Sequence, residues 1–224
     1  MQTITVSKSF VWNGSVTAKV TALCRMFGLT IDRLITRTTT HACKLNIGPG
    51  DIVLITGPSG SGKSVLFNEL KKAVPIENRI SLDRITLPND RTLIDCIDAD
   101  LITCINLLST AGLNDVFCLL NQPANLSEGE QYRFRLAMAL SLGKPFVFAD
   151  EFCSGLDRLT AAVIAHKIRK FATKTNTIFV LAACQNDFGL DLAPDVIVAK
   201  ELGGDTQVIY KNPSRKPDPA FDKK

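Results

Sequence analysis

The sequence predicts an α/β fold with a mostly parallel central sheet, an N-terminal antiparallel β segment and a short helical insert. Three observations carry this reading. Short apolar runs alternate with stretches of helical periodicity between residues 51 and 210, the pattern of a parallel sheet covered on both faces. One run, Ile52 to Ile55, enters a glycine-rich loop ahead of a helix. Another, Phe146 to Ala149, ends in two adjacent carboxylates.

Taken in order, SKSFVW and SVTAKVTAL flank Asn13-Gly14. Both positions of that pair tolerate positive φ, so a β-hairpin is expected there. Gly48-Pro49-Gly50 punctuates the chain before the Ile52 run, and a helix is expected from about Lys63. From Asn89 to Gly112 the spacing turns helical, with Leu93, Ile94, Ile97, Leu101, Ile105 and Leu108 assigned to one face. A helix over 128–142, a strand over 146–149, a helix over 159–174, a strand over 177–183 and strands near Val196 and Val208 follow. These elements group as a β region (1–50), a core (51–88 and 143–210) and a helical insert (89–142), all within one domain (1–210). The segment 211–224 has three prolines and no apolar periodicity, and is expected to be a flexible basic tail.

At 224 residues, 46% of them apolar and 21% charged, the chain can bury a core without disulfides, which excludes stapled miniproteins and disordered chains. The net charge of +4 is unevenly spread, because the first 56 residues carry six Lys/Arg against Asp32 and Asp51. No basic stripe indicates nucleic acid. Seven cysteines, with no C-x-x-C pair and no secretory leader in MQTITVSKSF, predict reduced thiols in a cytoplasmic protein. No apolar stretch approaches the roughly 18 to 20 residues of a membrane span, so no intrinsic membrane segment is expected.

Gly57-Pro58-Ser59-Gly60-Ser61-Gly62-Lys63-Ser64, followed by Val65, matches G-x-x-x-x-G-K-[ST] in a strand-loop-helix context. Its glycines let successive N–H groups turn into one concavity, and the helix start adds positive potential, so the segment is expected to bind nucleotide phosphates. Lys63 is assigned to the β and γ phosphates and Ser64 to Mg2+. Of the acidic pair, Asp150 is assigned to the metal and Glu151 to the attacking water. Ser127-Glu128-Gly129-Glu130 before an apolar run is a capping box, in which Ser127 caps the Glu130 amide and Glu130 reaches back.

LSEGE resembles the LSGGQ signature of the ATP-binding-cassette (ABC) ATPases, a branch of the P-loop NTPases. Ser154-Gly155-Leu156-Asp157 resembles that family's D-loop. The four motifs stand in the family's order over about residues 48 to 185. The resemblance implies that the phosphate loop of one subunit and Ser127 with Gly129 of another close on one ATP in a head-to-tail homodimer, with Asp157 at the interface. Phe27 stands near the place of the adenine-stacking aromatic, and is equally readable as a core residue. Gln185 or Cys184 stands where the family has its switch histidine. Glutamine cannot become cationic near neutral pH, so slow turnover is expected. Glu128 and Glu130 replace Gly and Gln. Across about 6 Å, at an effective dielectric near 20, such a carboxylate would repel a phosphate charge by about 3 kcal/mol. Asn78 to Asn89 has no glutamine for a glutamine loop.

Strings around Tyr132, Leu156 and Leu192 resemble soluble ABC ATPases associated with acetyltransferase-like domains. The leading expectation is therefore a soluble Mg2+-ATP hydrolase that dimerises on ATP and drives an unidentified protein partner. A nucleotide-dependent dimerisation switch and the ATP-binding subunit of a membrane transporter are the alternatives.

Overall fold

The computed structural model describes residues 1–183, 189–203 and 205–215. β1 (Gln2–Val11) is followed by α1 (Ala18–Met26) and α2 (Ile31–Thr36), and β2 (Thr38–Ile47) returns to pair with β1. The pair is antiparallel, with Gln2 opposite Ile47 and Val11 opposite Thr38. Then come β3 (Ile52–Thr56), α3 (Lys63–Ala73), β4 (Arg79–Ser81), α4 (Leu101–Thr110), α5 (Val116–Leu119) and α6 (Glu128–Ser141). β5 (Phe146–Ala149), α7 (Arg158–Thr175), β6 (Ile178–Ala183), α8 (Gly189–Leu192), β7 (Val196–Lys200) and β8 (Thr206–Tyr210) complete the described chain.

The central sheet has six strands in the order β4-β5-β6-β3-β7-β8. It is parallel except for β8, which pairs antiparallel to β7. β3, β5 and β6 are buried at every residue, which is why they read in sequence as continuous apolar runs. Alternate residues serve two cores. Ile52, Leu54, Val147, Phe179 and Leu181 face Leu108, Phe134, Ala137, Ile164 and Ile168 of the helices on one side. Val53, Ile55, Phe148 and Val180 face Leu66, Phe67 and Leu70 of α3, together with Ile4, Val6, Leu45 and Ile47 of the β1–β2 pair. The Phe67 and Phe148 rings meet edge to face at 5.7 Å.

Two local expectations are corrected. No hairpin forms at Asn13-Gly14, because β1 finds its partner in β2 and the intervening residues form helices. Thr17 caps α1 by accepting from Val20 N–H at 3.3 Å, and Val20, Cys24 and Phe27 share a helical spacing that the period-two reading overlooked. In the insert, Leu101 and Ile105 are exposed, whereas Cys104, Leu107 and Leu108 are buried. The buried face of α4 is thus rotated from the expected one, because α4 packs on α6 and α7.

Cys24, Cys43, Cys96, Cys104, Cys118 and Cys153 are free thiols, and Cys184 lies outside the described residues. Burial pushes Cys43 and Cys153 up to about 12, so both stay protonated and unreactive. Among the described residues no helix is long and apolar enough to cross a membrane.

The start of β3 is tied down by an ionic cluster. Arg169 of α7 donates to Asp195 at 2.6 Å and also to the Gly50 carbonyl, while Asp195 accepts from Ile52 N–H at 2.9 Å. Replacing Arg169 with Ala leaves a largely covered carboxylate without its cation and the Gly50 carbonyl without its guanidinium donor. Unfolding in urea is expected to show a loss of about 2 kcal/mol, and an unchanged midpoint would refute the role given to this cluster.

Candidate nucleotide site

The ends of β3, β5 and β6 lie side by side, with Thr56 opposite Ala183 and Ala149 opposite Leu181. The segments leaving β3 and β5 therefore open at one edge of the sheet, where ligands of parallel α/β folds collect. A cavity of about 290 Å³ sits there, lined by Ser59, Gly60, Gly62, Lys63, Ser64, Val65, Asp150, Glu151, Ala182 and Ala183. Two motifs read separately in the sequence, the glycine-rich loop and the acidic pair, thus meet in one place. A larger cavity, about 550 Å³, lies beside the last turns of α7, and none of the motif residues lines it.

The loop's backbone explains its glycines. Gly57, Gly60 and Gly62 have φ of 146°, 78° and 91°, a region open chiefly to glycine. A side chain on Gly57 would strike the Lys200 carbonyl, and one on Gly62 would strike the His41 ring. Gly62 stands at the N-cap of α3 and supplies no side-chain cap, so the first-turn N–H groups keep their capacity for an anion. The Lys63 ammonium folds back across the loop, donating to the Gly57 and Pro58 carbonyls at 2.8 Å each. Ser61 Oγ is buried without a hydrogen-bond partner among the described residues. Loop N–H donors, an inward-folded ammonium and an orphaned hydroxyl together suit a polyphosphate.

The acidic turn is built around Phe152, which is buried and donates its N–H to the Ala182 carbonyl at 2.8 Å. On either side Glu151 and Cys153 take positive φ, 50° and 58°, a conformation that costs a non-glycine residue about 1 kcal/mol or more. The turn leaves Asp150 and Glu151 exposed at the cavity, with Glu151 N–H donating to Asp150 Oδ1 at 3.0 Å. Tyr132 of α6 steadies it, accepting from Cys153 N–H at 3.2 Å.

Ser127 and Gly129 do not line the cavity. Ser127 is the N-cap of α6, and its capping box with Glu130 has formed as expected. A Cβ on Gly129 would come within 3.1 Å of Leu156 Cδ2, so the start of α6 lies against the 154–157 turn. The Asp157 carboxylate caps α7, accepting from Thr160 N–H at 3.0 Å, and the Thr160 side chain together with that bond holds it below the usual carboxylate range.

Phe27 is 74% exposed. It lines a separate apolar pocket with Trp12, Val20, Leu23 and Leu34, so it is neither a core residue nor part of the phosphate cavity. Gln185 and Cys184, the candidates for the switch position, lie outside the described residues. Sequence reasoning missed Ala182, Ala183, Tyr132 and His41. For His41 a signal was present, since it shares the inward parity of Cys43, Leu45 and Ile47 along β2.

Comparison with solved structures decides the fold. The chain superposes on a dimeric post-hydrolysis state of the ATP-binding cassette MJ0796 bound to ADP and Pi with a TM-score of 0.60 and 20% identity, covering 77% of this chain and 92% of that one. The fold is that of the ABC ATPases. No protein-family model matches the chain. Sequence relatives nevertheless support the ABC ATPase superfamily. The aliphatic sulfonates import ATP-binding protein SsuB of Delftia acidovorans is 27% identical over 203 residues, 79% of this chain and 80% of the relative. The zinc import ATP-binding protein ZnuC of Roseobacter denitrificans is 31% identical over 157 residues, 62% of this chain and 60% of the relative. Both relatives bear importer names, and neither is named for the soluble, acetyltransferase-associated branch that the strings around Tyr132 resemble.

In this ABC ATPase fold the acidic turn is expected to depend on Tyr132. Tyr132→Phe removes the acceptor for a part-buried N–H and should lower stability by about 1 to 2 kcal/mol in thermal unfolding. No loss would show that the strained turn holds itself.

Proposed function

We propose that this chain is the Mg2+-ATP-binding and hydrolysing subunit of an ABC-type transporter, acting as a head-to-tail pair at the cytoplasmic face of a membrane partner. One observation carries the pairing. The phosphate loop and acidic pair share a cavity that Ser127 and Gly129 of the same chain do not line, which supports a second copy bringing its signature turn to complete the site. The importer names of the relatives favour a membrane partner over the soluble partner-driving ATPase expected first. For that soluble reading there remains the absence of glutamine from Asn78 to Asn89. Co-purification decides between them, a membrane protein in the complex supporting transport and a wholly soluble complex overturning it.

Within the site, the Gly57 to Ser64 backbone would hold the phosphates. Lys63 would exchange its two neutral carbonyl acceptors for anionic phosphate oxygens, so that both partners of the bond are charged. Ser64 and Asp150, hard oxygen donors on one cavity, are the residues that would hold Mg2+, and that ion when bound supplies charge stabilisation at the phosphates. Glu151 would orient the attacking water and accept its proton. Ser127 and Gly129 of the second copy would meet the phosphate from the other side, with Asp157 beside them, while Gln185 or Cys184 would take the switch position.

Lys63→Ala is expected to reduce ATP affinity at least about tenfold, since it removes the ammonium from a phosphate contact worth more than about 1.4 kcal/mol. Unchanged affinity in a fluorescent-nucleotide titration would sink the assignment. Glu151→Gln should bind ATP normally, abolish turnover and accumulate a dimer in size-exclusion chromatography, and undiminished turnover would remove Glu151 from the role of base.

A further inference from the structure

The Glu130 carboxylate takes both donors that Ser127 can offer. Its Oε2 accepts from the Ser127 backbone N–H at 2.9 Å and from the Ser127 hydroxyl at 2.7 Å. Glu130 N–H closes the box by donating to Ser127 Oγ at 3.4 Å. A serine hydroxyl carries one proton, and here it is already given to an anion. The bonds from Ser127 hold the Glu130 carboxyl below its usual range, so the group is ionised at neutral pH. Arg133, one turn on, does not answer that charge directly, because its guanidinium donates to the Gly129 and Gly112 carbonyls at 3.2 and 3.0 Å. Cys118, the other titratable group facing Glu130, has its thiol pushed up by burial and stays neutral.

We infer that Glu130 competes with the nucleotide phosphate for Ser127 at the α6 N-terminus, and thereby sets how tightly ATP pairs two copies of this chain. The inference rests on the pairing reading above. An incoming phosphate must displace the carboxylate from the Ser127 hydroxyl or lie beside it, and both raise the free energy of the closed pair. Glutamine at this position would keep a side-chain acceptor for the Ser127 N–H, preserving the box, while removing the charge. Glu128 provides the contrast. It is one of the two acidic residues in the first turn of α6 and sits exposed, but its carboxylate is not part of the capping box.

The test compares the unmodified chain, Glu130→Gln and Glu128→Gln in sedimentation equilibrium with Mg2+ and a non-hydrolysable ATP analogue, with thermal melts of each without nucleotide. Glu130→Gln is expected to lower the dimer dissociation constant about tenfold with an unchanged melt, and Glu128→Gln to move it less than about twofold. Pairing of Glu130→Gln no tighter than that of the unmodified chain overturns the inference, as does a lowered melt without tighter pairing. Equal tightening by both variants also overturns it, since general charge and not the Ser127 contact would then be responsible. In each of those cases nucleotide-driven pairing itself stands. If none of the three pairs with the analogue, the pairing reading fails, and the role of Glu130 falls with it.

Discussion

The end of the molecule that carries the glycine-rich loop depends on the burial of β3. A strand covered on both faces and bonded on both edges has no freedom to slide, since a one-residue slip would exchange the residues of its two cores. Ile52 and Leu54 belong to one core, and Val53 and Ile55 to the other. The loop after Thr56 therefore leaves from a fixed point, beside the fixed ends of β5 and β6. The precision of the cavity is inherited from the sheet and not from the loop, whose own residues are too short and too polar to enforce a shape.

A second constraint joins the acidic turn to the start of α6. Phe152 is sunk into the core between two residues of positive φ, so its packing is what holds Glu151 in an otherwise unfavourable conformation. Tyr132 reaches this turn from α6, and Leu156 lies against Gly129 at the same helix's first turn. The carboxylate that lines the cavity and the serine that does not are thereby parts of one packed unit. A displacement of α6 is felt at Glu151 through side-chain contact, without any long relay.

Much of this was legible in the residues. Continuous apolar runs gave β3, β5 and β6, because double-sided burial leaves no polar alternation to confuse the reading. The glycine-rich loop and the capping box were also visible, since both are local devices whose spacing is their mechanism. What escaped depends on partners distant in sequence. Asn13-Gly14 is a sound hairpin signal, yet β1 bonds to a strand that begins at Thr38, and no local rule weighs that competitor. The buried face of α4 was misjudged because six apolar residues leave two faces open, and only contact with α6 and α7 selects one. Positive φ at Glu151 and Cys153 has no signature in residue type, being imposed by Phe152.

The pairing of β3 also bears on how the chain is assembled. Its neighbours are β6 and β7, so Ile52 bonds alongside Phe179 and Val53 alongside Val196. More than half of the 224 residues given must be synthesised after β3 before either edge of that strand is covered, and loops of this length close slowly. During synthesis from the N-terminus the apolar run and its glycine-rich loop exist long before the sheet that gives them shape. A nucleotide held at this loop, as proposed, would therefore recognise the assembled sheet and not a chain translated only as far as the loop.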